Sequence, residues 1–378
     1  MRGIAILLVM LSHTKLLVNG YIGVDLFFAL SGFLITTLLY EEWDRSARIS
    51  FRRFYARRAR RLLPALVILV LAAVAVNFAS YQLTGWPLSK KALTTLLFLN
   101  NWVSGLGHGS ELGSLGPTWS LAQEEQFYLV WPLLLAVMLR GRFSPKVIAA
   151  ILTLTIIGLV WWLSPHIASS VNGYSLYYSP VDRFAELLVG CLGAILWRHR
   201  LMPDLTRLPH AFGERVARMA TRAEKPARIA LCWLIAFLFY RLLFNYTLPV
   251  RDVYLYACVL GIVMIVNLMS LPDSLPARLI GCAPLLYLGR ISYSLYLYHL
   301  VIFNLLNHYF PAASIDQIAV LTFAVSIPAA GLSWRFVESR ILQLRNSPIT
   351  SPLHAVRAQP HPDRPSWGRE GNPSRSAA

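Results

Sequence analysis

The chain has 378 residues, 56% of them hydrophobic and 14% charged, a balance that excludes a water-soluble globular fold because too much apolar surface would face solvent. The net charge of +17 would suit nucleic acid, yet the basic residues gather in short stretches beside apolar runs. That is the pattern of Lys and Arg retained in the cytoplasmic loops of a polytopic membrane protein, and nucleic-acid binding is set aside on that ground. Cys191, Cys232, Cys258 and Cys282 lie in or beside apolar runs without metal-ligand spacing, which predicts neither a disulfide nor a metal site.

Apolar runs of spanning length occur at Gly3 to Leu17, Val24 to Tyr40, Leu62 to Leu83, Trp119 to Leu139, Val147 to Leu163, Val181 to Trp197, Ile229 to Leu248, Val253 to Ser270, Ile291 to Tyr309 and Ile315 to Val337. The expected fold is therefore all-α, a bundle of about ten transmembrane helices over residues 1–340. The first run has no small-residue cleavage motif and is read as a retained helix. It carries Arg2 and His13, whose offset is about three helical turns, so both lie on one face roughly 16 Å apart. A histidine within a hydrocarbon-spanning segment is costly and marks a functional site by default.

The second run, Gly23-Val-Asp25-Leu-Phe-Phe-Ala-Leu-Ser31-Gly32-Phe-Leu-Ile, places Asp25 near its outer end. Asp25 is expected to set the tautomer or raise the basicity of His13. Ser31 is expected to bond back into its own helix while Gly32 permits close helix approach. Arg45 to Arg61, with eight arginines, reads as a basic helix lying on the inner leaflet ahead of the third span. Within it Arg58 and Arg61, spaced i, i+3, can converge on one phosphate, the task that suits a planar guanidinium. Spacing alone favours the plainer reading that these side chains snorkel to anionic lipid.

Leu93 to Val103 is too short to cross and is read as re-entrant or interfacial. The fourth span opens Gly116-Pro-Thr-Trp119-Ser-Leu-Ala-Gln-Glu124-Glu125-Gln126-Phe-Tyr128, where Glu124 and Tyr128 share a face and Glu125 points elsewhere, expected at a solvated surface. In the sixth, Asp182-Arg183-Phe-Ala-Glu186 admits a helix-mouth salt bridge at i, i+3. The ninth carries a polar stripe of Ser292, Tyr296 and His299, which lines a cavity or a helix contact, with His299 read as a packing residue ahead of a second base. Arg198 to Arg228 is expected to form a short amphipathic cytoplasmic helix. Residues 341–378, rich in Pro, Ser and Arg, are expected to be a disordered cytoplasmic tail.

Charge distribution tests the count. With ten spans, both termini and the loops holding eight, three, eight, two and six basic residues (Arg45 to Arg61, Arg140 to Lys146, Arg198 to Arg228, Arg278 to Arg290, and from Arg340 onward) fall on the cytoplasmic side. The other side holds Lys15, Lys90, Lys91 and Arg251, with Arg183 at a helix mouth. Counting the short run as an eleventh span would move the second cluster of eight outside. From the residues alone, buried His13, Glu124, Arg183 and Glu186 suit a proton-coupled transporter or flippase as well as an enzyme, and a non-catalytic scaffold is a third reading.

Five motifs decide between these. Arg2-x10-His13, Gly-Val-Asp25-Leu-Phe-Phe-x-Leu-Ser-Gly-Phe-Leu, Phe-Tyr-x-Arg57-Arg58-x-x-Arg61-Leu-Leu-Pro, Thr-Trp-Ser-Leu-Ala-x-Glu124-Glu-Gln-Phe-Tyr-Leu and Ile-Ser-Tyr-Ser-Leu-Tyr-Leu-x-His299, in that order, resemble the acyltransferase 3 family of bacterial membrane O-acyltransferases. The resemblance runs from Arg2 to about Arg340. It implies transfer of an acyl group, usually acetyl from cytoplasmic acetyl-coenzyme A, to a hydroxyl of a carbohydrate or lipid-linked glycan, by an inner-membrane protein and without a metal. By it His13 matches the catalytic histidine, Arg2 its motif partner, Arg58 and Arg61 the arginines that engage coenzyme A, and Glu124 an acid at the active site.

Asp25 is expected to assist catalysis and Arg57 to add to the donor site. Arg183, Glu186, Tyr128, Trp119 and His299 are the expected acceptor contacts. Family members usually carry a short segment ending in something like Leu-Asp-Gly-Leu-Arg, whereas Met1 here stands immediately before Arg2. A carboxy-terminal hydrolase-like domain, present in some relatives, is not seen in the sequence, which reads as the stand-alone type.

Overall fold

A computed structural model describes residues 1–79, 87–169, 178–201, 214–244 and 250–343. Residues 344–378 of the expected tail, residues 202–213 of the Arg198 to Arg228 segment and the Asp182 side chain lie outside the described residues; residues 214–228 form no short separate helix but the first turns of one continuous helix, Glu214–Phe244. The described chain is helical. It runs α1 (Arg2–His13), α2 (Ile22–Ser46), α3 (Phe51–Ala79), two short helices α4 (Leu88–Leu96) and α5 (Asn100–Val103), then α6 (Thr118–Arg140), α7 (Pro145–Ser169), α8 (Pro180–Arg198), α9 (Glu214–Phe244) and α10 (Val250–Ser270). A short α11 (Leu275–Ile280), α12 (Ala283–Tyr309), α13 (Ile315–Ser333) and α14 (Ser339–Gln343) complete it, with a wider π turn at Trp334–Glu338 between the last two.

Each of the ten apolar runs has its centre in one of these helices. Four stretches, Val18–Ser46, Phe51–Val76, Glu224–Phe244 and Ile315–Leu342, are long and apolar enough to cross a membrane, and Arg2–His13, Pro145–Trp161 and Leu255–Ser270 are shorter apolar helices. Length and composition thus establish four candidate crossings, not the expected ten. The outer surface is greasy: Leu71, Val137, Leu154 and Val320 are each exposed by more than 60%. A surface of that kind faces lipid tails more readily than water.

Two elements in the first part of the chain also differ from expectation. The first helix stops at His13 rather than Leu17, because Lys15 takes a left-handed φ of 62° and the Thr14 hydroxyl caps back onto the Met10 carbonyl at 2.8 Å. At about 1.5 Å per residue its twelve residues span only ~18 Å, so His13 stands at the end of a half-length helix. The eight-arginine stretch is no separate surface helix either: Arg45 ends α2, and Arg52 to Arg61 form the first turns of a continuous α3 that runs on through Pro64. The short run after Lys91 breaks into α4 and α5 at Leu97–Leu99, with Leu93, Leu97, Trp102 and Leu106 exposed.

Pairwise contacts fix the relative directions of the helices. α1 and α12 run parallel, since Arg2 meets Ser292 and His13 meets His299. α2, α6 and α8 run parallel to one another, tied by Ser31 to Glu124, Thr36 to Trp131 and Asp25 to Arg183. α3 opposes α6, with Tyr55 on the Tyr128 carbonyl and Arg58 on Glu125, and α13 opposes α12. The closest crossing joins α2 and α8: a Cβ on Gly32 would lie 1.9 Å from the Leu187 carbonyl oxygen, and one on Gly190 would lie 2.1 Å from that of Ala29. Backbone contact at this point is what small residues permit in helix packing.

Candidate active site

Three polar clusters line the contact between α1, α2, α3, α6, α8 and α12. The first is a histidine pair. His13 Nδ1 and His299 Nε2 are 2.7 Å apart with the rings stacked at 5.0 Å, and His299 Nδ1 lies 3.1 Å from the Leu295 carbonyl. His299 is completely buried and His13 partly so. Among the described residues His13 Nε2 has no hydrogen-bond partner. On the same face of α12, the Tyr296 hydroxyl donates to the Pro117 carbonyl at 2.8 Å and lies 2.6 Å from Ser120 Oγ, so the stripe read in the sequence faces α1 and the start of α6.

The second cluster holds the arginines. Arg58 grips Glu125 at 2.5 Å through one nitrogen and 3.5 Å through another, with its guanidinium 3.5 Å above the Tyr128 ring. Arg2 Nε donates to Ser292 Oγ at 3.3 Å, sits over Phe27, and lies in electrostatic range of Arg58, Arg61, Glu124 and Tyr128. Ser31 donates to Glu124 Oε1 at 2.8 Å. Arg57 pairs with Glu42 at 3.3 Å, while Arg61 forms no ion pair among the described residues. Glu125, expected at a solvated surface, is therefore the buried-side partner of Arg58, with only 16% of its side chain exposed. Ser31, expected to bond within its own helix, bridges to α6 instead.

The third cluster is a buried ion-pair network. Arg183 reaches Asp25 at 3.1 Å and Glu186 at 2.5 Å, and its guanidinium stands 5.3 Å from the Trp119 ring and 5.5 Å from that of Phe28. All three charged residues are at least 96% buried. The expected i, i+3 ion pair of Arg183 and Glu186 thus forms near the start of α8, and it is buried. Asp25 faces Arg183 and not His13, so neither it nor Glu124 makes the hydrogen bond that orients the imidazole; His299 does.

Sequence reasoning missed Glu338. It is 2% exposed at the end of the π turn, accepts from Ser333 at 3.1 Å and from Ser294, and Ser333 is linked to Tyr298 at 2.9 Å. The available signal was a carboxylate at the edge of the last apolar run. Asn101 and Gln126, which exchange two amide hydrogen bonds, and Asn100, which bonds Thr118 and Thr95, were also passed over; they hold α5 against α6. No group of three His, Cys, Asp or Glu side chains is arranged to hold a metal among the described residues.

A family model described as an acyltransferase domain matches residues 1–335. The chain belongs to the acyltransferase 3 family. Among curated proteins it is similar to the peptidoglycan O-acetyltransferase OatA of Listeria monocytogenes, 31% identical over 90% of this chain and 54% of that protein. It is also similar to the O-acetyltransferase OatA of Staphylococcus aureus, 27% identical over 90% of this chain and 56% of that one. The putative peptidoglycan O-acetyltransferase YrhL of Bacillus subtilis is 29% identical over 85% and 50%. The chain spans about half the length of these relatives. No solved structure matches it.

Proposed function

We propose that this acyltransferase 3 domain is a membrane O-acetyltransferase that takes acetyl from acetyl-coenzyme A at the cytoplasmic face and delivers it to a hydroxyl of an envelope carbohydrate. The names of its relatives put peptidoglycan first among acceptors. The observation that carries the reading is the spacing of two unlike sites on one helix. Arg2, with Arg58 and Arg61 nearby, forms a cationic end; His13, eleven positions on, presents an imidazole nitrogen without a partner among the described residues.

The donor fits the cationic end. Coenzyme A is a polyanion, and among the described residues Arg61 has no carboxylate to give up in order to meet a phosphate. Arg58 is committed to Glu125, so its part is to shape the site and add charge, with Arg57 behind it. At the other end His13 Nε2 takes the proton of the acceptor hydroxyl, the oxygen attacks the thioester carbonyl, the carbon–sulfur bond breaks, and the thiolate leaves to be protonated. An acyl-imidazole relay through the same nitrogen is the alternative path; an acetylated enzyme trapped from radiolabelled donor without acceptor would select it.

Glu124, held by Ser31, lies at the cationic end, in electrostatic range of Arg2 and Arg58. Trp119, Arg183 and Glu186 are proposed to shape the acceptor side, with the ion-pair network bracing α2 against α8 rather than meeting substrate directly, while Tyr128, stacked under Arg58, shapes the donor end. The domain is proposed to lie in the bacterial inner membrane with ten crossings, both termini cytoplasmic and residues 341–378 a cytoplasmic tail. Mass spectrometry of cell-wall glycans tests the reading in a deletion strain complemented with the wild-type chain or with His13→Ala. Acetylation restored by the first and not by the second is expected; an unchanged pattern in all strains overturns it.

A further inference from the structure

We infer that His299 is a positioning residue that fixes His13 in the tautomer with Nδ1 protonated and Nε2 bare. The inference rests on His13 being the base of the proposed acetyl transfer. Two hydrogen bonds in series carry it. His299 Nδ1 faces the Leu295 carbonyl, which can only accept, so that nitrogen carries a proton. A second proton on His299 Nε2 would make a fully buried imidazolium with no carboxylate hydrogen-bonded to it. His299 is therefore neutral with a lone pair on Nε2, and the ring nitrogen 2.7 Å away, His13 Nδ1, must donate to it.

The proton inventory then has one outcome. In neutral His13 the single ring proton is on Nδ1, which leaves the Nε2 lone pair for the acceptor hydroxyl. The backbone carbonyl of α12 sets the first histidine, and the first sets the second, so the role that an aspartate fills in other hydrolytic and transferase sites is filled here by a neutral ring. A neutral partner suits the surroundings: neither Asp25 nor Glu124 bonds His13, and both have partners elsewhere. The stacked geometry, with the ring planes 22° apart, also restricts rotation of His13 about its own side chain.

The test uses the full chain reconstituted in lipid, with acetyl-coenzyme A as donor and a soluble muropeptide as acceptor. His299→Leu fills the space without an acceptor for the His13 proton; His299→Gln supplies a neutral amide oxygen that accepts it. His299→Leu is expected to lower kcat on the order of 10²-fold with KM for acetyl-coenzyme A unchanged, the scale of losing a group that orients a reactive histidine. His299→Gln is expected to regain at least about a tenth of wild-type turnover, which a purely packing role would not predict. Equal loss in both variants, or full turnover in His299→Leu, overturns the inference.

Histidine-selective 15N NMR of the wild-type protein, with the His13 signal identified by its absence in His13→Ala, reads the tautomer directly whatever the variants do. A proton on Nδ1 and none on Nε2 is expected; the reverse sinks the proposal. Undiminished turnover of His13→Ala in the same assay would instead overturn the underlying acetyl-transfer reading, so the two failures are told apart.

Discussion

Arg58 and Arg61 sit one turn apart on α3, yet their environments give them different work. Arg58 is held by Glu125 and stacked on Tyr128, with 18% of its side chain exposed. Removing it leaves a poorly solvated carboxylate behind, so Arg58→Ala is expected to destabilise the protein by about 1–3 kcal/mol, an effect that Glu125→Gln in the same chain offsets. Arg61 has no ion pair among the described residues to lose. Arg61→Ala is expected to leave thermal unfolding in place and to raise the KM for acetyl-coenzyme A about tenfold, the loss of one charge-assisted hydrogen bond. Thermal unfolding followed by size-exclusion chromatography, beside a donor titration, separates the two. Equal stability of both variants would show that the Glu125 contact carries no load.

At this scale the sequence located the polar residues but not their partners. His13, Glu124, Asp25 and Arg183 are conspicuous because a polar group in an apolar run is costly, and that cost is visible without a fold. Which carboxylate meets which guanidinium depends on helix neighbours 67 to 158 positions away, as Arg58 with Glu125 and Asp25 with Arg183 show. Helical periodicity assigns a face to each residue and says nothing about what lies opposite. The expectation that Asp25 serves His13 failed for that reason: α8 stands beside α2 and supplies Arg183 as the partner of Asp25.

Among the elements, α2 has the most to coordinate, since Asp25, Ser31 and Thr36 on it bind α8 and α6 in turn. These short polar links tolerate little displacement, and Gly32 with Gly190 sets the distance at which they form. The methyl of Gly32→Ala would be driven against the Leu187 carbonyl, backbone that has no rotamer by which to yield. A cost of at least the ~1–3 kcal/mol typical of overpacking is expected, together with loss of transfer as Ser31 and Asp25 move off their partners. Gly158→Ala on α7 is the control: nothing lies within 4 Å of its added carbon, so unchanged or slightly higher stability is expected. Comparable loss in both variants would mean that the α2 and α8 crossing is not the constraint.

Element ends were harder to read than element centres. Leu16 and Leu17 extend the first apolar run past the polar stretch Ser12-His13-Thr14-Lys15, but the helix stops within that stretch, at the left-handed turn of Lys15. In the opposite sense, the arginines before Leu62 look like a boundary on a hydropathy scale, whereas Arg and Ala are good helix formers and α3 begins at Phe51. A basic end of a continuous helix, turned toward α6, brings Arg58 to Glu125 where a helix lying flat on the membrane would not.

Across the whole molecule the question is which side each end of the bundle faces. α3 and α6 pack antiparallel, so the chain between them, including α4 and α5, starts and finishes at the same end. An odd number of crossings in that interval would have made them parallel. This supports treating Leu93 to Val103 as a segment that does not cross, and it makes every later loop a test of the count. Single cysteines placed in a chain whose partly exposed thiol is first removed by Cys282→Ser report the side directly, because Cys191, Cys232 and Cys258 are buried. With a membrane-impermeant maleimide, Lys90→Cys is expected to react in intact cells, and Arg53→Cys and Arg278→Cys only after permeabilisation. Reaction of Arg278→Cys in intact cells, with Arg53→Cys still protected, would mean an odd number of additional crossings between them and would put the second half of the bundle, His299 included, the wrong way round for the transfer proposed.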